Sequence, residues 1–188
     1  CGECGGDNNC ESISMPISIN VQAQDGLNNV TKYLTAGFSS NATDSYDEGI
    51  DEFAPPASPP PTFDAALSWQ GDRYYTQILS GFEEDIGIPH EWSIDLSYSS
   101  ENLIILTWDN TGWANMMSSC ILQDAFGGFL GIDIDMLSEA SLSLTNPAFN
   151  QLKLIITPAS IGIPGCTDPI DCNYNPLATE DDGSCSGE

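Results

Sequence analysis

The sequence predicts an all-β protein whose main domain is an antiparallel, Ig-like β-sandwich. Two patterns support this fold class: apolar and polar residues alternate over several segments, and turn residues separate short apolar runs. No segment shows the periodicity of an amphipathic helix. We expect three parts: a Gly/Cys-rich head at residues 1–11, the β-sandwich at residues 12–163, and a cysteine-rich tail at residues 164–188.

Each strand follows from its own pattern. Residues 13–21 alternate apolar and polar side chains, which predicts a strand with one buried face. Pro16 removes a backbone donor from this strand, so we expect an edge strand or a bulge there. Residues 92–98 alternate in the same way, and the continuous apolar run 103–108 is typical of a central strand. Further strands are predicted at residues 119–123, 131–136, 141–144 and 151–157.

Residues 41–63 do not fit a strand. They carry five prolines in their second half, and proline cannot donate to a sheet ladder. The segment also carries acids and aromatic residues, so we expect a packed, extended connection.

Charge excludes some partners. The chain has 28 acidic and three basic residues, Lys32, Arg73 and Lys153, and a formal net charge of −25. Such a surface repels phosphate, so nucleic acid is excluded as a partner and anionic membranes are disfavoured. Divalent cations are the natural counter-ions, although a halophile-like surface would also explain the acidity. No apolar run is long enough to span a bilayer.

The seven cysteines predict terminal disulfides. Each end of the chain has three cysteines, so one pair within each trio leaves one cysteine that can join head to tail, within a chain or between chains. Zinc is the alternative, but His90 is far from both trios and only one pair has Cys-x-x-Cys spacing. Cys120 lies in a strand-like run and should be a buried free thiol. The predicted disulfide cysteines are Cys1, Cys4, Cys10, Cys166, Cys172 and Cys185.

The tail predicts a calcium site. Residues 165–185 contain few large apolar side chains, so this segment needs cross-links or a metal to hold one shape. Hard oxygen ligands lie close together in sequence, which suits Ca²⁺, and Gly183 permits a tight turn. The alternative is a solvated acidic tail closed by disulfides. The expected ligands are Asp168, Asn173, Asn175, Asp181 and Asp182.

Two stretches resemble known proteins. The tail, GCTDPIDCNYNPLATEDDGSC, resembles a short cysteine-rich calcium-binding repeat of secreted and surface proteins of the Bacteroidetes, with Asp171 where that repeat has a small residue. Residues 37–64, 91–108 and 121–136 resemble a β-sandwich module of secreted Bacteroidetes proteins. The resemblance implies a secreted or cell-surface protein. It does not imply catalysis.

The residues give no catalytic constellation, so we expect no enzyme. Acidic pairs arise by chance in so acidic a chain, no Gly-x-Ser-x-Gly elbow is present, and His90 has no evident nucleophile partner. Trp92 and Trp108 should fill the core, whereas Trp113 lies in a loop-like stretch and is a possible ligand contact. Ser45, in Asp-Ser-Tyr, resembles an O-glycan acceptor of the Bacteroidetes.

These observations predict an extracellular structural protein, the repeating subunit of a head-to-tail surface filament, or pilus-like fibre, that assembles from copies of itself. The alternative is a carbohydrate-binding or adhesion module of a larger secreted protein, with glycans as partners. A secreted hydrolase is the third hypothesis.

Overall fold

The structure is a computed structural model that describes residues 13–25, 28–59, 62–159, 164–174 and 180–185. The chain divides into a large unit, Ser12–Ala159, and a small unit made of Cys1–Glu11 and Ser160–Glu188. The described residues form strands and two short 3₁₀ helices, Glu83–Asp85 and Trp113–Asn115, with no α-helix among them. The all-β prediction is confirmed.

The large unit contains one mixed sheet that is nearly closed into a barrel. The strands are β1 (Met15–Asp25), β2 (Asn28–Ser39), β3 (Glu52–Phe53), β4 (Asp64–Trp69), β5 (Asp72–Ser80), β6 (His90–Ser97), β7 (Leu103–Trp108), β8 (Met117–Asp124), β9 (Asp133–Asp135), β10 (Ser141–Leu144) and β11 (Gln151–Pro158). Their order in the sheet is β10-β7-β1-β2-β5-β4-β6-β11-β8-β9, and β3 pairs with β5.

The expected antiparallel Ig-like sandwich is not confirmed, because β2 and β5 pair in parallel. A parallel pair needs a crossover of a dozen or more residues between its strands. The proline-rich segment and β4 together form that crossover. The segment is packed as expected: the ring of Phe53 stacks between those of Tyr46 and Tyr74, with centroids 4.3 and 4.8 Å away.

The first strand is central rather than at an edge, which corrects the expectation drawn from Pro16. β1 pairs with β2 over its whole length and with β7 from Ile19 to Gln24. Pro16 lies before the β7 ladder begins, so its missing N–H costs no bond to β7. Opposite Pro16 is Gly37, where φ is 146° and any Cβ would overlap the Met15 carbonyl group.

The core lies inside the curled sheet and takes one side of every long strand. Trp92 and Trp108 are buried, as predicted. The indole N–H of Trp108 donates to the carbonyl oxygens of Glu139 and Met136, at 2.7 and 3.1 Å. The indole N–H of Trp92 donates to the Gln77 side-chain oxygen, so the core buries the rings of Trp92 and Trp108 without leaving their donors unsatisfied. The buried N–H of Trp69, in contrast, has no partner among the described residues.

The small unit contains two short strands, β12 (Pro164–Gly165) and β13 (Glu180–Asp181), which pair in parallel. A disulfide joins Cys166 to Cys185. Few apolar residues lie in this unit, so the disulfide carries much of the order that a core would otherwise supply.

Candidate functional site

The C-terminal unit brings together one group of metal-ligating atoms among the described residues. The sulfur atoms of Cys166 and Cys185 and a carboxylate oxygen of Asp171 lie within 4.8 Å of one another, and the group could hold a metal ion. The two sulfurs form the disulfide, so they could ligate a metal only after reduction. Asp171, the residue that departs from the resembled repeat, is thus the carboxylate nearest the disulfide.

The predicted calcium ligands lie in neighbouring turns of this unit. Asp168, Asp181 and Asp182 each accept a backbone N–H from two residues ahead in the chain, at 2.9 to 3.0 Å. Hydrogen bonds from Ser184 hold the pKa of Asp182 below its ordinary value. Asn173 donates to the Ser184 carbonyl oxygen at 2.5 Å. Asn175 lies outside the described residues, and calcium stays a prediction.

The described cysteines of the tail agree with the prediction that one pair forms within the trio and one cysteine is left over. Cys166 and Cys185 pair, and Cys172 is left as an exposed free thiol. Cys120 is a buried free thiol, as expected, and burial raises its pKa to about 12. Cys1, Cys4 and Cys10 lie outside the described residues.

Residues 47–52 contain an acidic run, Asp47, Glu48, Asp51 and Glu52, and two of its carboxylates have a structural role. The buried carboxylate of Asp51 accepts the backbone N–H of Ile78 at 2.8 Å and that of Asp47 at 2.9 Å. Asp47 in turn accepts the backbone N–H of Thr43 at 2.5 Å. The Asp51 carboxylate therefore fastens the crossover to β5, and the Asp47 carboxylate holds the crossover in a turn with Thr43.

His90 is not the surface loop residue that the sequence suggested. It is the first residue of β6, is partly buried, and packs edge-on against Phe38 with ring centroids 4.8 Å apart. Its Nε2 atom lies 3.5 Å from a carboxylate oxygen of Asp85.

Trp113 is not available to a ligand, which corrects the sequence interpretation. It begins a 3₁₀ helix, only 5% of its surface is exposed, and it belongs to the core. Ser45 is exposed in the crossover, where its N–H donates to the Thr43 hydroxyl at 3.2 Å. Its glycosylation stays a prediction.

The loop between β8 and β9 is apolar and exposed. Phe126 is 71% exposed, Phe129 88% and Leu130 52%. A soluble surface rarely shows three large apolar side chains within five residues unless they contact something. We call residues 126–130 the apolar loop. No sequence prediction included this loop, although residues 126–131 interleave three glycines with two phenylalanines and a leucine, a composition that indicates a loop.

A buried carboxylate holds the apolar loop in one conformation. Asp124 is 1% exposed, and its oxygens accept the backbone N–H groups of Phe126 and Leu130 at 2.9 Å and of Ile132 at 3.3 Å. Burial raises the pKa of Asp124, but N–H groups of Phe126, Ile132, Leu130 and Gly128 outweigh it and lower the pKa overall. The loop is therefore preorganised for contact.

The chain has no match among known protein-family models, curated proteins or solved structures. Among the described residues, no helix is long and apolar enough to cross a membrane.

Proposed function

We propose that this protein is a non-enzymatic extracellular structural protein, the repeating subunit of a head-to-tail surface filament. The observation that carries the proposal is the apolar loop, which places Phe126, Phe129 and Leu130 in water on a rigid support. Burying these side chains against a second copy would remove three large exposed apolar side chains from water. Burial of each such side chain contributes about 1.5–3 kcal/mol.

Self-assembly must overcome the charge of −25 on every copy. The apolar loop helps because residues 126–130 carry no charge, although the exposed Asp133 carboxylate lies beside Gly128. In a head-to-tail filament this loop would pack against a different surface of the next copy. The sheet edges suit a side-chain contact better than strand addition. The edge strands β9 and β10 have three and four residues, and short edges discourage pairing with another sheet.

Cysteine chemistry fits an oxidising, extracellular setting. The disulfide Cys166–Cys185 favours such a compartment, and the exposed Cys172 thiol offers a group that a cysteine of the 1–11 head could join. We propose that the head contacts the next copy, and that Ser45 carries an O-linked glycan. Peptide mass spectrometry of native material tests both, through a cross-linked Cys172 peptide and a glycan mass on the Ser45 peptide.

We further propose that the small unit binds Ca²⁺ through Asp168, Asn173, Asn175, Asp181 and Asp182, which would also reduce repulsion between copies. An ion that binds the folded unit stabilises it by mass action, so EDTA should lower the melting temperature and calcium should restore it. A melting temperature that EDTA leaves unchanged contradicts the calcium assignment.

Electron microscopy of native and recombinant protein tests the filament directly. We expect filaments from the unaltered chain and single particles from the variant with Phe126, Phe129 and Leu130 all changed to Ser. The matched control is Ile88→Ser, since Ile88 is a single exposed apolar residue of the same unit, at 51% exposure. Both variants should keep the β-sheet circular dichroism of the unaltered protein.

Single particles from the unaltered chain at all calcium concentrations, under oxidising conditions, would overturn the filament proposal. Filaments that survive the triple change would show that the apolar loop is not the subunit contact.

A further inference from the structure

The outer face of strands β10, β7, β1 and β2 is uncharged. Two rows of outward side chains cross these strands in register, with cross-strand partners opposite each other. No described side chain that points outward from these four strands belongs to an Asp, Glu, Lys, Arg or His residue, in a chain with 28 acids. The rows are Ser141, Thr107, Asn20 and Tyr33, and Ser143, Ile105, Gln22 and Thr31.

Hydrogen bonds order the amides of this face. The Gln22 side-chain amide donates to the Thr31 hydroxyl at 3.3 Å, and the Gln24 amide donates to the Gln22 side-chain oxygen at 3.3 Å. The hydroxyls of Ser18 and Thr35 lie 3.2 Å apart. Side chains that already hold one geometry lose less conformational entropy when a ligand binds.

Tyr33 stands out from the face and separates two shallow depressions. Its side chain is 68% exposed. One depression of about 230 Å³ is lined by Asn20, Gln22, Thr31, Tyr33, Ile105 and Thr107. The other, also about 230 Å³, lies towards Lys32, Glu52 and Tyr75. An exposed aromatic wall beside amides and hydroxyls offers a ring face together with hydrogen-bond donors and acceptors.

We propose that this face binds a neutral oligosaccharide, with Tyr33 stacking on a sugar ring and Asn20, Gln22 and Thr107 bonding its hydroxyls. The absence of charge in the first depression selects the ligand, because its lining has no cation to hold a sulfated or uronic acid sugar. The Lys32 ammonium group of the second depression donates to the Tyr75 hydroxyl at 3.0 Å and shares that depression with Glu52, and the net charge of −25 repels an acidic sugar. A second copy is a poorer occupant, because polar side chains outnumber the outward apolar ones of the four described strands, which are Pro16, Leu103 and Ile105 beside the Tyr33 ring.

The spacing of the strands also suits a chain of sugars. Neighbouring strands lie about 4.8 Å apart, so successive side chains along a row recur at a distance comparable with one sugar unit. A linear oligosaccharide lying across β7, β1 and β2 would meet Thr107, Asn20 and Tyr33 in turn. This inference does not depend on filament formation, since the apolar loop contributes nothing to the face.

Isothermal titration with the intact chain tests the proposal, using hexasaccharides of β-1,4-glucose, β-1,3-glucose and α-1,6-mannose, with polygalacturonate as the charged probe. We expect at least one neutral hexasaccharide to bind and polygalacturonate not to bind. Tyr33→Ala should weaken binding about tenfold or more, because it removes the aromatic wall. Thr107→Arg should weaken it similarly by filling the first depression with a long charged side chain.

The control is Tyr174→Ala, an exposed tyrosine of the small unit, which should bind the sugar unchanged. Circular dichroism and the melting temperature of all variants show whether they fold. Failure of all three neutral probes, preference for polygalacturonate, or equal losses in Tyr33→Ala and Tyr174→Ala would overturn the proposal. The triple change in the apolar loop should leave sugar binding intact, so failure of the filament and failure of this site are distinguishable.

Discussion

Replacing Asp51 by Ala should destabilise the large unit more than any other single change in the acidic run. The carboxylate is 6% exposed and accepts two backbone N–H groups, from Ile78 at 2.8 Å and Asp47 at 2.9 Å. A buried donor left without a partner costs about 1–3 kcal/mol. The Ile78 amide would lose its partner in a buried position and incur the full cost, and the less buried Asp47 amide would incur part of it. The expected loss in the free energy of unfolding is therefore about 2–4 kcal/mol.

Asp44→Ala is the matched control. Asp44 belongs to the same crossover and accepts the Ser80 N–H of the same strand, but at 3.2 Å and in an exposed position. Water can replace an exposed acceptor, so this change should cost less than about 1 kcal/mol. Asp51→Asn keeps one acceptor oxygen and should fall between the two.

Urea unfolding followed by tryptophan fluorescence measures the difference. With a slope of about 2 kcal/mol per molar urea, Asp51→Ala should lower the midpoint by about 1–2 M, and Asp44→Ala by less than about 0.5 M. Equal shifts in the two variants would refute the reasoning, because they would show that burial of the Asp51 carboxylate does not decide its contribution.

Three further experiments test other parts of the structure. Trp113→Ala should cost about 3–5 kcal/mol in urea unfolding, as a core truncation does, and should leave sugar binding by folded protein unchanged. Iodoacetamide at pH 8 should label the exposed Cys172 and leave the buried Cys120 unmodified. A labelled Cys120 peptide in mass spectra of the digest would contradict this. Folding raises the pKa of the Cys120 thiol from near 9 to about 12. The contribution of this protonated thiol to the free energy of unfolding is therefore complete below pH 9 and is lost as the pH rises towards 12. Cys185→Ser should open a loop with a sequence separation of 19 and destabilise the small unit by about 3 kcal/mol, seen as faster proteolysis there; cleavage at the unaltered rate would contradict this.

Local patterns predicted individual elements well. The strands predicted at residues 92–98 and 151–157 appear as β6 and β11, and Trp92, Trp108 and Cys120 are buried, as expected from the strand-like segments that contain them. This succeeds because a strand with one buried face must place apolar side chains at every second residue. The odd cysteine count of the tail likewise agrees with one disulfide and one free thiol.

Trp113 and His90 show where local patterns fail. A loop-like sequence around Trp113 predicted exposure, but the ring is buried, because a short 3₁₀ helix turns it into the core. His90 follows a proline yet begins a strand beside Phe38. Burial depends on what packs over a residue, and a residue's neighbours in sequence do not contain that information.

By itself, the sequence determined the all-β class, most of the strand positions and the acidity of the surface, since these depend on composition and on periods of a few residues. Only the tertiary structure decided that β2 and β5 pair in parallel, that Asp124 supports an exposed apolar loop, and that four strands present one uncharged face. Each of these depends on residues far apart in the chain, and the free energy that selects such a pairing belongs to the packed sheet as a whole.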